Sequence, residues 1–599
     1  MRAILLGNIL QGKRSISGFK GRLNTPPTAA FHASPLTGPV PLTVTFDATD
    51  SFDPDINDFV DAYMWDFGDG STAVVTGPIV THTYSTAGVK TATLKVRDKW
   101  HVESTADTEY ITVGTVTPPE PTTFKTSFWN YDALLKNRAL YHNTLTGKAN
   151  RQDIVKAVSD ITAEIASRGI LTAKPIGIAP KPSSYSYTLN GTSVTRPLVL
   201  PAGATANDYV ALGMYWWPDS NKTDGLPYIR KDGQTNPEAS AMPDHKKLRN
   251  VCEQIELLGI AHFFSNDPAK QKEYAEKAAA LLRAFFVTPA TRMNPSFKYV
   301  QVMKGHNNNM GTEYGLVDLE YMPDLIQGFQ LLRGQVGFDL EVESGFVQWL
   351  RDAWIWLTKT WTSTPADGTT DYYHWLMLTN MRKLYQNIRS AYEVQILTFS
   401  LALGERTWAI NRINDVIKDK GTTKGVLSRV VMGADYVTKA GEIKQKDNSS
   451  PSVTVKAGSL FPEVKRTKPC TYSAKGLEAL VNLTLVAEHL GIDMWNYVSP
   501  SGSSMKKAAE SLLYYAANPT QWPVKSWEDY AYYKNYIYAR HTMRKISGGF
   551  PGDATLQAKI QTYLTGLNTK LGTTSDQSEA GYRAGKDWFM LYQKIGYTY

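Results

Sequence analysis

Two hydrophobic periodicities divide the chain. From Pro26 to about Val113, apolar and polar residues alternate in the short runs PLTVTFDAT, DAYMWDFGDGS, VTHTYSTAG and VKTATLKVRD, separated by turn residues. A period of two puts alternate side chains on one buried face, so strands are predicted, and this spacing predicts a small all-β sandwich. Beyond residue 123 the period lengthens to 3.6 in KKLRNVCEQIELLGIAHFFS, QKEYAEKAAALLRAFFV, MPDLIQGFQLLRG, GFVQWLRDAWIWLTKTW, YEVQILTFSLALGE and GLEALVNLTLVAEHLG. Each run has one apolar face and a Gly or Asn-Asp stop. Many such helices, with no second sheet pattern, predict helical hairpins packed side by side. The lack of a fixed-period repeat favours a closed (α/α) toroid over a solenoid. Between the two regimes, GTVTPPEPTT reads as a stiff, extended linker because proline fixes the backbone and removes donors. The expected organisation is a segment over 1–24, a β-sandwich over 25–114, a linker over 115–123 and an all-α domain over 124–599.

A length of 599 residues fits this division, being too great for one compact core. No stretch of about 18 consecutive apolar residues occurs, so no membrane insertion is expected. The formal charge of +8 is unevenly spread: residues 1–123 are net −4 and the remainder +12. A basic larger part raises the local concentration of polyanions, although a solubilising surface has the same composition. Nucleic acid is rejected as the partner, because no zinc finger, Gly-rich phosphate loop, RNP-like motif or basic helix is present. With 15 Trp, 33 Tyr and 20 Phe, some rings are expected to line a groove as stacking platforms. Cys252 and Cys470 are too few for a disulfide framework or a cysteine zinc site, and both read as unreactive.

PLTVTFD at 41–47, WDFGDG at 65–70, His82 to Tyr84 and GVKTATLKV at 88–96 together resemble a PKD domain. This is an immunoglobulin-like sandwich found mostly on extracellular proteins. Trp65 and Phe67 are expected to alternate inward, with Asp66, Gly68, Asp69 and Gly70 forming the turn. The run Asp50, Asp53, Asp55 and Asp58 has the carboxylates a calcium ion wants, but solvated turn carboxylates are the favoured reading.

In the larger part, four aromatic and polar loops interrupt the helices, and loops on a rigid scaffold are where sites are built. The first, Asn207 to Glu238, holds Tyr215, Trp216, Trp217 and Arg230, a groove wall or a packed plug. The second, Met293 to Gly315, holds Gln301 and His306. The third is Gln386, Asn387, Ile388, Arg389 and Ser390, and the fourth, Gly458 to Tyr472, places Arg466 near Tyr472. Taken alone, Arg466 and Tyr472 read equally as a structural ion pair and a core tyrosine.

YWWPDSNKTDGLPYIRKDGQTNPE, supported by RMNPSFKYVQ, FPEVKRTKPCTYS and GLEALVNLTLVAEHLGIDMWNY, resembles the alginate lyase family of helical-toroid polysaccharide lyases, from about residue 205 to 500. The resemblance implies a toroid with a long cleft that cleaves an acidic, uronate-containing exopolysaccharide by β-elimination, without a cofactor or metal. Such cleavage removes the C5 proton, which is barely acidic until the adjacent carboxylate is offset by fixed amide and guanidinium donors. The resemblance gives that part to Asn387 and Arg466. It gives proton transfer to Tyr472, whose pKa a nearby cation is expected to lower from about 10. Tyr215, Trp216, Trp217, Arg230, Gln301, His306 and Arg389 are the expected substrate contacts.

One position departs from the family pattern. Where Asn-Asn-His-Gly is usual, this chain reads Gln386-Asn387-Ile388-Arg389, so isoleucine stands at the catalytic histidine position. Three readings follow. Tyr472 acts alone as base and acid, with Arg389 helping to neutralise the carboxylate; His306 or His374 reaches in from another loop; or the cleft binds polysaccharide without cutting it.

Residues 1–24 have an apolar run, Ala3 to Leu10, broken by Gly7 and Asn8 and followed by bases. This is a poor secretory signal. It reads as a docking peptide or as a disordered start. The expected setting is a bacteriophage virion, joined to tail or capsid proteins through this segment, with a secreted bacterial enzyme as the alternative.

Overall fold

The computed structural model describes residues 24–113 apart from 35, 36, 39, 50, 56 and 57, residues 126–524 apart from 446, and residues 539–571. They belong to two compact units that divide at residues 117 and 118. The expected docking segment, up to residue 23, and the linker over 115–123 lie outside the described residues.

The first unit is a sandwich of two sheets. One has His32–Ser34, Leu42–Asp47 and Ile79–Tyr84; the other has, in spatial order, Thr37–Gly38, Asp107–Val113, Gly88–Asp98, Val60–Asp66 and Thr72–Val75. Alternation does what the sequence predicts. Leu42, Val44 and Phe46 are buried while Thr43 and Thr45 are exposed, and Trp65, Phe67, Leu94 and Val96 complete the core. Gly68, at φ +72°, needs its bare backbone, since a Cβ there would lie 2.3 Å from the Thr91 carbonyl oxygen. The turn carboxylates accept local backbone bonds: Asp53 from Asp55, Asp55 from Thr25 and Asp58 from Phe59. Asp50 lies outside the described residues.

The second unit is helical. Pro243–Phe264, Met322–Leu332, Asn387–Ala402 and Pro469–His489 pack side by side in that order. All four run in the same direction. Arg249, early in the first, lies over the Tyr321 ring at the start of the second, and further along Gly259 meets Gly328. Arg333, past the second, donates to the Ala402 carbonyl at the end of the third, and Arg406 donates to the Leu490 carbonyl past the fourth. The sequence predicts a closed toroid, and the contacts trace four parallel helices in a row. Helices Pro268–Leu282 and Leu340–Thr358 pack against it. No helix among the described residues is long and apolar enough to cross a membrane.

Against expectation, this unit also carries small sheets. Ser184–Leu189 pairs with Thr192–Pro197, Val210–Leu212 with Tyr299–Val302, Trp216–Trp217 with Ile229–Arg230, and Tyr436–Val437 with Thr454–Val455. Most are too short for alternation to register in sequence. They fix the loops that hold the candidate residues.

Candidate active site

Parallel packing of the row brings the start of Asn387–Ala402 beside the start of Pro469–His489. Gly476 lies at that junction. A Cβ on it would lie 2.6 Å from Leu460, 3.5 Å from the Asn387 Cβ and 3.6 Å from the Glu463 Cγ. Tyr472, one turn earlier on the same helix, is buried, with the Arg466 guanidinium 4.1 Å from its ring centroid. Its hydroxyl lies 2.6 Å from that of half-buried Tyr215. The Asn207 to Glu238 loop thus meets the helical row through a phenol pair.

Asp232, from the same loop, fixes the guanidinium. Its Oδ1 accepts from Arg466 Nη2 at 3.1 Å and from Arg230 Nη2 at 2.8 Å, and its Oδ2 accepts from the Thr467 hydroxyl at 3.0 Å. Burial alone would raise the Asp232 pKa, but Arg466, Thr467 and Arg230 outweigh it and hold the carboxyl below its usual range. Arg230 is exposed at the rim. Asn387 opens its helix, and its backbone N–H donates to Glu463 Oε1 at 2.5 Å, a bond that Gln386 at the N-cap does not supply. The Asn387 Oδ1 is buried without a hydrogen-bond partner. Ile388 packs against the hydrophobic core.

Burial first, then the Tyr215 hydroxyl, pushes the Tyr472 pKa above its ordinary value, and the lowering by Arg466 is smaller. The cation acts in the direction the sequence reading expected, but burial and Tyr215 outweigh it, so the net shift is upward and not downward. The raised pKa keeps the Tyr472 side chain a neutral phenol.

Trp216 and Trp217 form a two-residue ribbon with Ile229–Arg230. Trp216 meets the His306 ring edge-on at 4.9 Å, Trp217 Nε1 donates to the Gln234 carbonyl, and Lys231 lies over the Trp217 ring. Both indoles are half-buried in this wall.

Three expected contacts are committed elsewhere. Arg389 is buried and ion-paired at 2.7 Å to Glu393, which also binds Arg412, and its Nη1 donates to the Met381 carbonyl. Its helical position turns it into the core, so it does not help neutralise a substrate carboxylate. Gln301 donates its amide to Asp318 at 2.7 Å, within a network that includes Tyr209. The Nε2 of His306 lies 2.7 Å from the Tyr228 carbonyl, so this imidazole braces the wall. His374 stacks on Trp356 at 3.9 Å with Nε2 on its carbonyl, and burial pushes its pKa down to about 3. Neither histidine takes the place left by Ile388. Cys252 and Cys470 are both buried and form no disulfide with each other.

Sequence reasoning missed Asp232, Glu463 and Gly476. Asp232 lies between Arg230 and Gly233 in the quoted motif, and Glu463 three residues before Arg466, but only the fold shows what they touch.

A family model for alginate lyases matches residues 193–522, more than half of the chain. The chain belongs to the alginate lyase family. A PKD domain model matches residues 24–113. An alginate lyase from Bacteroides ovatus has a similar fold, with a TM-score of 0.58 at 22% identity over 78% of this chain and 99% of that one. The PKD1 domain of a Vibrio cholerae metalloprotease is 30% identical over 15% of this chain and 99% of its own, with a TM-score of 0.13. Alginate lyase A1-III from a Sphingomonas species is 14% identical over 55% of this chain and 75% of its own, with a TM-score of 0.32. No curated protein matches. Membership makes the helical unit a polysaccharide lyase domain.

Proposed function

We propose that this alginate lyase family member cleaves an acidic, uronate-containing polysaccharide by β-elimination, with Tyr472 as the single proton-transfer group. The observation that carries this reading is the Tyr472 phenol held between the Arg466 guanidinium and the Tyr215 hydroxyl, while Ile388 carries no imidazole and those of His306 and His374 are engaged with backbone carbonyls. Arg466 and the Asn387 amide offset the uronate carboxylate, which acidifies the C5 proton. Tyr472 oxygen receives that proton while its own passes to the departing O4. The C4–O4 bond breaks, a C4–C5 double bond forms, and the phenol is regenerated.

One oxygen can serve both atoms only when the C5 proton and O4 lie on the same face of the ring. Mannuronate and glucuronate linkages meet this condition; guluronate does not. The test is incubation with polymannuronate, polyglucuronate and polyguluronate, following the ultraviolet absorbance of the unsaturated product. Product from either of the first two and little from the third is expected. Affinity without product on all three would instead identify a polysaccharide-binding protein with a lyase fold.

A further inference from the structure

Glu463 lies at the centre of the cluster and has no part in the proton transfers. It is fully buried on the short helix Phe461–Val464. Its Oε1 accepts the first N–H of the Asn387–Ala402 helix. Its Oε2 is buried without a hydrogen-bond partner and lies 3.9 Å from Arg466 Nη1. One carboxyl group therefore touches both groups assigned to the substrate carboxylate.

The charged groups facing it are few. Arg466 approaches from the following turn, and Asp232 lies beyond Arg466, from the Asn207 to Glu238 loop. The Asn387 helix presents its N-terminal N–H, and the Pro469–His489 helix presents Gly476. Arg466 is already paired with Asp232 through Nη2, with Nε longer at 3.5 Å. A second carboxylate on its Nη1 side would set two anions, Asp232 and Glu463, against Arg466 and the Arg230 that shares Asp232, leaving no net charge to attract a polyanion. A carboxylic acid there leaves the cluster with one net positive charge and turns Oε2 into a donor in a place where Asn387 Oδ1 also lacks a partner.

We propose that Glu463 is a positioning residue that acts as a neutral acid, aligning Asn387 and leaving Arg466 free to attract the substrate carboxylate, and that its ionisation weakens polysaccharide binding. This rests on the assignment of Arg466 and Asn387 to carboxylate binding. Desolvation, only partly offset by the Asn387 N–H and Arg466, raises its pKa to about 7, so the switch falls in the range where an enzyme works. The sign follows directly: below that value the acid is neutral and binding is strong, and above it the carboxylate competes for Arg466.

The test is calorimetric titration of the full chain with polymannuronate and with polyglucuronate, from about pH 5.5 to about pH 8.5, where the polymer's own charge is constant, with every chain, including the one that is wild type at residue 463, carrying Tyr472→Phe so that polymer is bound and not consumed. Wild type is expected to lose affinity by roughly three- to tenfold across this range, the size of one charge contact. Glu463→Gln, which mimics the neutral acid, is expected to keep the low-pH affinity throughout. Glu463→Met, similar in length and unable to ionise, supplies the same flat profile should the Gln variant fail to melt cooperatively. A wild type without pH dependence, or a folded variant that keeps it, overturns the proposal. Binding is read apart from turnover, so absent product with a Glu463-dependent affinity refutes the lyase reading alone. Product with a pH-flat affinity refutes only the Glu463 proposal.

Discussion

The hydroxyl of Tyr472 lies 2.6 Å from the hydroxyl of Tyr215, joining a helix of the row to a loop more than two hundred residues earlier. Each phenol can donate to the other, and burial of Tyr472 keeps its proton in place. Substrate entry at this point must exchange the Tyr215 contact for one to the sugar. On the proposed mechanism Tyr215 is both the resting partner of the acid and part of the wall that receives the polymer.

Tyr472→Phe is expected to lower turnover by at least about a hundredfold while leaving polymer affinity near wild type, because it removes the transferable proton but keeps the ring under Arg466. Initial rates of ultraviolet product formation and calorimetry on the same preparation check this. Unchanged turnover would show that another group carries the proton.

Tyr215→Phe leaves Tyr472 in place but removes its hydrogen-bond partner, at a cost of about 1 kcal/mol in stability. With that partner gone, one of the causes raising the Tyr472 pKa is lost, so its phenolate should appear at lower pH. Alkaline ultraviolet titration of Tyr215→Phe against the Tyr215→Phe/Tyr472→Phe double variant reads the difference.

Ile388→His restores an imidazole beside Asn387 and is expected to extend cleavage to polyguluronate, whose C5 proton lies on the face opposite O4. The measurement is the ratio of initial rates on polyguluronate and polymannuronate. A folded variant with an unchanged ratio would show that this position does not reach the sugar.

Arg389→Ala should destabilise the protein by about 3 to 5 kcal/mol, since it leaves the buried Glu393 with Arg412 as its remaining ion-pair partner. Chemical denaturation measures this. At temperatures where the variant is folded, its affinity for polymer should equal wild type, which separates a core cation from a substrate contact.

His374 ties stability to pH. Its folded pKa of about 3 lies below the ordinary value of 6.5, so the unfolded chain takes up this proton first. The stabilisation is complete above about pH 6.5 and is lost as pH falls towards 3, at up to about 1.4 kcal/mol per pH unit. Thermal melts of His374→Gln over this range should show a shallower acid slope than wild type, with turnover unchanged.

The sandwich was legible in the chain because alternation reports directly on which face is buried: Val44, Phe46, Trp65 and Phe67 turn inward as their period requires. The long helices were legible for the same reason at a period of 3.6. Arg389 was misread because a helical residue two positions after Asn387 points about 200° round the axis from it, into the core, and a sequence gives no sign of which face that is. Gln301 and His306 were misread because a polar side chain in a loop looks the same whether it faces a ligand or braces a carbonyl.

The amino-acid sequence by itself determined the two units, the sandwich strands of the first and the long helices of the second, the family and the isoleucine at the histidine position, since each is written in local periodicity or in contiguous motifs. The tertiary structure alone decided that Asp232 holds Arg466, that Tyr215 meets Tyr472, and that Glu463 bridges Asn387 and Arg466. These contacts join residues remote along the chain, and they exist only because parallel helices bring their starting turns together in one place. The protonation states follow from the same packing, because the water excluded from Tyr472 and Glu463 is excluded by neighbours that the linear order of residues does not reveal.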